Sequence, residues 1–464
     1  MAAKISEKWC DSLNPDQNTL PQLTVVMMVA NDVSIDVRVR KMAASVARDH
    51  NVFVLGLASN GRRSSFELDG FKVLLLPVVN QQPLKMRIKK ALGRRIMKLP
   101  MGSSIRKIFK SGPSKAKTAP AALQTTPSSE QIPWREVLPE TTKYEFVFGA
   151  ELETIKPDLV HAQDIHLLSV ASNYVKNRKQ SGDNCALIYD AHEYIRGLGS
   201  INPQRRDAYA DMESEYINSA DSVITVSDAI ARKIQQDHGL TSQPFLVLNA
   251  PSQNKIQVSE SSPSVRAVCG LDLDVPLVIY SGGIHISRGM DLLVSSLEYL
   301  PDVHLAMTSN RDSWYIEELK LKASAIGASS RLHFVPYVSP EEVVPYISTA
   351  TIGISPLPAD VVNYDLALPN KLFDYIQAGL PLVVSNCVEV SRLLAKFPLG
   401  ETFEWQDPKA LAQAVISVLA NQSEIRGNYL ALKDDLKQFT WESQESNLQN
   451  AYLLALAKSR ESFT

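Results

Sequence analysis

Cysteine is scarce in this chain. The four in 464 residues, Cys10, Cys185, Cys269 and Cys387, include no Cys-x-x-Cys pair. Such a set frames neither a disulfide scaffold nor a zinc ribbon, and it suits a reducing compartment. Long apolar runs are also missing: the run 23–30 is far shorter than the roughly 20 residues a membrane-spanning helix needs. The first twenty residues are polar and lack the apolar core of a signal peptide. No large charge of one sign is present. The 48 basic and 50 acidic residues leave a net charge of −2, which carries no overall nucleic-acid signature. These absences make a cytoplasmic globular protein the expectation, with any membrane contact peripheral. The hydrophobic content of 45% and charged content of 21% are ordinary for that class, and the length suffices for two or three domains.

What is present is alternation. Short apolar runs at 24–30, 51–57, 71–77, 158–162, 186–190, 222–226 and 245–248 read as strands covered on both faces. Segments with helical spacing, such as 37–48, 205–218 and 227–236, lie between them. A stretch rich in Ser, Pro, Asn and Gln at 249–263 reads as a linker. A second series follows, with strands at 277–281, 303–307, 332–335, 352–354 and 382–385 and a helix at 290–299. Strands alternating with helices predict α/β architecture, a doubly wound parallel sheet in each half. The expected layout is a polar tail 1–22, a first domain 23–250, a second domain 264–440 and a terminal helix 441–464.

The first domain is interrupted at 80–133. Residues 80–118 carry twelve Lys and Arg side chains and no Asp or Glu, with Leu84, Ile88, Leu92, Ile96 and Leu99 at helical spacing. That pattern fits an anionic membrane surface, at about 1 kcal/mol per basic group, or else a solvated loop. Phe109 is the single aromatic in this stretch, which argues against a base-stacking platform for nucleic acid. Residues 118–133, rich in Thr, Pro, Ala and Ser, read as a disordered linker.

The most informative segment is Asp365-Leu-Ala-Leu-Pro-Asn-Lys-Leu-Phe-Asp-Tyr-Ile-Gln-Ala-Gly-Leu-Pro-Leu-Val-Val384. It reads as a loop, a helix with Leu368, Leu372, Tyr375 and Ile376 on one face, a glycine stop and a buried strand. Lys371 and Asp374 sit one turn apart on the same face. A cation and a carboxylate at a helix start, beside a sheet's carboxyl edge, suit a nucleotide diphosphate and its ribose, or simply form a surface ion pair. Ser281-Gly-Gly-Ile-His-Ile-Ser-Arg-Gly289 follows a strand and precedes a helix, where glycines let backbone approach a phosphate. Leu187-Ile-Tyr-Asp-Ala-His-Glu-Tyr194 runs off the carboxyl end of a strand, where ligands of open α/β sheets gather. No His, Cys, Asp and Glu set has metal-ligand spacing, so no metal is expected.

Together these segments resemble the signature of the family 4 retaining glycosyltransferases. The resemblance covers nearly the whole chain apart from the first twenty residues and the basic insertion. It implies the GT-B fold, two Rossmann-like domains facing across a cleft. It also implies transfer of a sugar from a nucleotide-diphosphate donor to a hydroxyl acceptor, with no cofactor and no metal. Asp374 stands at the family's second acidic position. The first, a loop glutamate, falls at Leu366, with Asp365 beside it. Arg288 stands for the family's phosphate-gripping lysine, and Gly283 occupies the place of its arginine, a loss for which Lys371 can compensate.

By the same resemblance His192 faces the transferring sugar. Gly282, Gly283, Arg288, Val335, Tyr337, Asp365, Asn370, Lys371 and Asp374 line the donor site, with Val335 and Tyr337 near the base. Asp36, Arg38 and Glu193 stand on the acceptor side. His192, Arg288 and Lys371 are the expected catalytic set. In the family the terminal helix often crosses back to the first domain. A lipid-linked or cell-surface glycan would make sense of the basic insertion. Two other readings remain open at this stage: a sugar-nucleotide epimerase of the same fold, and a catalytically silent scaffold that binds nucleotide sugar or membrane.

Overall fold

The computed structural model describes residues 22–78, 132–199, 201–253, 264–309 and 313–461. The basic insertion 80–118, the tail 1–21 and most of the linker lie outside the described residues. Fourteen strands are described, in two sheets. The first contains β1 Thr24–Met28, β2 Asn51–Leu57, β3 Ser64–Leu68, β4 Phe71–Leu76, β5 Leu159–Gln163, β6 Ala186–Ala191, β7 Ser222–Thr225 and β8 Phe245–Leu246. Their spatial order is β3-β4-β2-β1-β5-β6-β7-β8. The second contains β9 Leu277–Tyr280, β10 His304–Thr308, β11 Leu332–Val335, β12 Ile352–Ser355, β13 Leu382–Ser385 and β14 Gly400–Phe403, in the order β11-β10-β9-β12-β13-β14. This second order reverses between β9 and β12, the crevice where open α/β sheets receive ligands.

The central strands are apolar on both faces because helices cover both sides. Val25, Val26, Met27 and Met28 are all fully buried, split between two core clusters on opposite faces of the sheet. One strand breaks the parallel rule. β3 runs antiparallel to β4 through the two-residue turn Asp69-Gly70, both with positive φ. Its residues are mostly exposed, so it has no apolar periodicity for a sequence reading to find. The Asp-Gly pair between the two strands is its signal.

The last helix, Trp441–Glu461, packs on the first domain rather than the second. Trp441, Leu448, Ala451, Tyr452 and Ala455 join the core cluster of β1, β2 and helix α1 (Val37–Val46). Burying each large side chain contributes about 1.5–3 kcal/mol. The Trp441 indole N–H donates to Ser45 Oγ at 2.9 Å, and the Leu248 N–H donates to Gln444 Oε1 at 3.0 Å. Two further bonds join the domains at the cleft: the Tyr194 N–H donates to Asn363 Oδ1 at 2.8 Å, and Ser227 Oγ donates to the Leu366 carbonyl at 2.5 Å.

Candidate active site

The second domain's wall is built at the carboxyl end of β9. Tyr375, on helix α2 (Asn370–Gln377), lies buried beneath the loop that follows this strand. Its hydroxyl accepts from the Ser281 N–H at 2.8 Å and donates to the Ile354 carbonyl at 3.0 Å. β12 passes so close that a side chain at Gly353 would meet the Tyr375 ring at 2.4 Å. The Gly282 N–H donates to Thr308 Oγ1 at 2.9 Å, and the Tyr280 hydroxyl donates to the Gly283 carbonyl at 3.2 Å. The loop is therefore held from below at three consecutive residues.

Two cations converge on this loop. Arg288 Nη1 lies 3.4 Å from the Gly283 carbonyl. Lys371 Nζ lies 3.4 Å from the Tyr280 hydroxyl and 4.5 Å from its ring centroid. A Cβ added at Gly282 would stand 3.1 Å from Lys371 Cε, so the glycine leaves room for the lysine. Burial first, and then the Arg288 charge, pull the Lys371 ammonium down to about 7, with Asp374 opposing. One turn along, burial raises the Asp374 carboxyl to about 6, offset in part by Lys41 and Lys371. Both groups pay for partial desolvation without a full partner, as expected of a site that receives a polyanion.

Other donor-side expectations separate here. Asn370 is exposed at the start of α2, where no side chain caps the helix. Tyr337 is 44% exposed with its hydroxyl 3.5 Å from the Gly282 carbonyl, so its ring is open to a ligand. Val335 is corrected: its side chain is 1% exposed and its carbonyl accepts from the Ser309 N–H at 2.7 Å, so it is core. Asp365 is corrected too. Its Oδ1 accepts from the Val388 N–H at 2.8 Å and so caps the helix Val388–Lys396. A carboxylate already committed to an orphan helix N–H is a poor stand-in for the first glutamate.

The opposite wall comes from the first domain. His192 follows β6, with Nε2 3.1 Å from Gln163 Oε1 and 3.3 Å from Asp190 Oδ2. Behind it Arg38 grips Asp190 with both arms, Nε to Oδ2 at 3.0 Å and Nη2 to Oδ1 at 2.9 Å, while Nη1 donates to the Val247 carbonyl at 2.8 Å. Arg38 is 5% exposed and Asp190 is wholly buried. The acceptor-side expectation for Arg38 is thus corrected: it lies behind the wall and reaches no ligand. Asp36 is corrected likewise. It caps α1 by accepting from the Val39 N–H at 3.1 Å and takes a second bond from Asn31 at 2.8 Å.

Glu193 is exposed on the loop that follows His192. Desolvation by the surrounding protein and then Asp164 hold its carboxyl above the usual range, opposed by His192, His166 and Arg288. Asp164 adopts φ +66, a conformation rare outside glycine, with Oδ1 accepting from the Ile165 N–H at 2.7 Å and Oδ2 3.1 Å from His166 Nδ1. The sequence reading had no role for Gln163 or for the Tyr280 hydroxyl. Each had the same signal: a polar group at the carboxyl end of a buried strand. A separate hollow of about 570 Å³, lined in part by Lys179, Asp221 and Lys458, opens near the amino end of β7, away from all these residues.

Known proteins show the same architecture. Residues 107–249 match the sequence profile of Glycosyltransferase Family 4, and residues 275–421 match Glycosyl transferases group 1. The chain is similar to a D-inositol 3-phosphate glycosyltransferase of Xylanimonas cellulosilytica, 24% identical over 203 residues, 41% of this chain and 45% of that one. It is also similar to one of Acidothermus cellulolyticus, 21% identical over 265 residues, 54% of this chain and 57% of that one. The chain thus spans about half the length of the curated relatives it matches. In fold it is similar to sucrose-phosphate synthase from Thermosynechococcus elongatus, with TM-score 0.68 at 17% identity over 94% of this chain and all of that one. It is also similar to HepE of Anabaena, solved with UDP and glucose, with TM-score 0.61 at 12% identity over 93% of this chain and 99% of that one.

Proposed function

The chain belongs to the family 4 glycosyltransferases, of GT-B fold, and from that premise we propose that its cleft moves a sugar from a nucleotide-diphosphate donor to a hydroxyl acceptor. The observation that carries this is the convergence of Arg288 and Lys371 on the Gly282–Gly283 turn, opposite His192. Two cations on a half-buried, pre-held loop stabilise charge that grows on a departing diphosphate, the role a metal would otherwise fill. Asp374 is available to ribose hydroxyls and Tyr337 to the base. His192 meets the transferring sugar from the other wall, and the leaving phosphate takes the acceptor's proton on the same face, which retains the anomeric configuration. Closure of the two walls excludes water.

The acceptor belongs to the proposal as well: a glycan or lipid-linked hydroxyl, brought close if the basic stretch 80–118 rests on an anionic membrane surface. No described helix is long and apolar enough to cross a membrane. A silent nucleotide-sugar scaffold is the competing reading, favoured by one observation. Leu366 stands at the first acidic position, and its carbonyl serves the domain contact with Ser227.

The test is to incubate the protein with a panel of nucleotide-diphosphate sugars, with and without membrane lipid extract, and to measure free nucleoside diphosphate. Release from one sugar, raised by lipid and lost in Arg288→Ala, establishes transfer and names the donor. Nucleotide binding without release from any sugar supports the scaffold.

A further inference from the structure

His192 has two ring nitrogens, and the protein treats them differently. Nε2 faces two oxygens, Asp190 Oδ2 at 3.3 Å and Gln163 Oε1 at 3.1 Å. Nδ1 makes no hydrogen bond among the described residues, and the ring is about one-fifth exposed. A nitrogen between two acceptors must carry the proton. The orientation of Gln163 follows from the same constraint. Its reversed amide would present N–H to Nε2, which the Asp190 carboxylate already requires to be a donor.

With Oε1 toward His192, the Gln163 amide nitrogen donates to His161 Nε2 at 3.3 Å. His161 is fully buried and its imidazolium is suppressed to about 4 by burial, so its other nitrogen, Nδ1, carries the single proton and donates to the Tyr452 hydroxyl at 3.0 Å. One carboxylate thereby sets the proton positions along a line that ends on the C-terminal helix. Arg38 decides how strongly that carboxylate acts. A lone Asp190 would draw a second proton onto His192, whereas the bidentate guanidinium offsets its charge. The other charged and titratable groups facing this ring are Asp164 and His161 on β5 and its end, and Glu193 on its own loop.

We propose that Arg38, Asp190 and Gln163 are positioning residues that fix His192 as its Nε2–H tautomer and so offer a bare Nδ1 to the cleft as a hydrogen-bond acceptor. The ligand chemistry this selects is a hydroxyl donor, such as a sugar hydroxyl, rather than a carbonyl or phosphate oxygen. The tautomer stands on the geometry alone. Its use in sugar transfer rests on the function proposed above, and the two parts are tested separately.

The tautomer is read from nitrogen chemical shifts of ¹⁵N-histidine-labelled full-length protein at pH about 8, with His192→Gln identifying the resonance. The expected result is a protonated Nε2 and an unprotonated Nδ1 at His192, with the opposite tautomer at His161. A His192 protonated at Nδ1, or at both nitrogens at that pH, overturns the proposal. Asp190→Asn alone leaves Arg38 buried without its partner and endangers folding, so the informative variant is the neutral double substitution R38M/D190N. Replacing a buried ion pair by uncharged groups is often tolerated. In a folded double variant the His192 signal becomes a mixture of tautomers. An unchanged signal would show that the pair merely fills space and sink the idea. If transfer is established, that variant loses roughly 10–100-fold in kcat, the range for groups that orient an active-site imidazole, with KM for the donor nearly unchanged. An equal rise in KM with kcat intact counts against the role in transfer and leaves the tautomer untouched.

Discussion

The two walls of the cleft hold their charges in opposite ways. On the first domain Arg38 and Asp190 satisfy each other bidentately, and burial there is compensated before any ligand arrives. On the second domain Arg288 and Lys371 face the same turn from two sides, and Lys371 is pulled down to about 7 partly by its neighbour's charge. One wall is finished by folding, and the other would be completed by the diphosphate of the proposed donor. The contrast teaches where stability and where binding reside. A cation whose counter-charge lies in the chain holds its wall together, and one without a full counter-charge is available to a ligand's charge.

The largest way to break this contrast is Asp190→Ala. Removing one partner of a buried, paired charge costs about 3–5 kcal/mol, read as a lower denaturation midpoint. The Arg288→Ala protein should unfold close to the parent midpoint and yet lose about 10²–10³-fold in turnover, the usual cost of deleting one electrostatic stabiliser. If both substitutions destabilise alike, the division between the walls is wrong.

Next comes Tyr375→Phe, which leaves the Ser281 N–H without its acceptor. A cost of about 1–3 kcal/mol is expected in stability, with a weaker grip on nucleoside diphosphate because the loop is no longer held.

A subtler test uses protons. The Lys371 ammonium is held at about 7 in the folded chain against an ordinary 10.5, so between these values the unfolded chain binds the extra proton. Stability from this group therefore rises with pH across that window. An anionic diphosphate reverses the bias and draws the proton back. Binding at pH about 8 should take up protons, and affinity should fall by up to about tenfold per pH unit above about 7. Calorimetry in buffers of different ionisation enthalpy measures the uptake, and Lys371→Met should abolish it. Asp374 runs the other way. Its carboxyl is raised from 3.8 to about 6, so its contribution is fully present below 3.8 and declines as pH rises toward 6.

The smallest effect sharpens the comparison at its edge. Asp365→Ala should cost about 1 kcal/mol as a lost helix cap while leaving turnover nearly intact. A large loss of turnover would return Asp365 to the donor site.

Much of the fold was legible because it depends on local period. Apolar runs such as 24–30 and 186–190 have to be strands covered on both faces, and Pro381 after Gly379 has to end the helix before β13. β3 was missed because an exposed edge strand needs no apolar pattern, and β14 because Glu401 and Thr402, both exposed, leave Gly400–Phe403 without an apolar run. The site was half legible. Arg288, Lys371 and Asp374 stand out because a helix start and a glycine turn constrain what they approach. Arg38 and Asp190 are 152 residues apart, and nothing local tells either that the other is its partner.

Local side-chain pattern set most of the strands and helices, the exposed β3 and polar β14 excepted, and the places where cations could approach a phosphate. Those outcomes depend on side-chain period and backbone permissiveness within a few residues. The tertiary structure alone decided which charges are spent and which are left over. Arg38 and Asp365 were candidate ligand-binding groups until packing brought each a distant partner at hydrogen-bond distance, whereas Asp36 is spent locally as the cap of α1. The reason is physical: desolvation and Coulomb energy depend on distances through space, and those are set only when the two sheets and the terminal helix have closed around them.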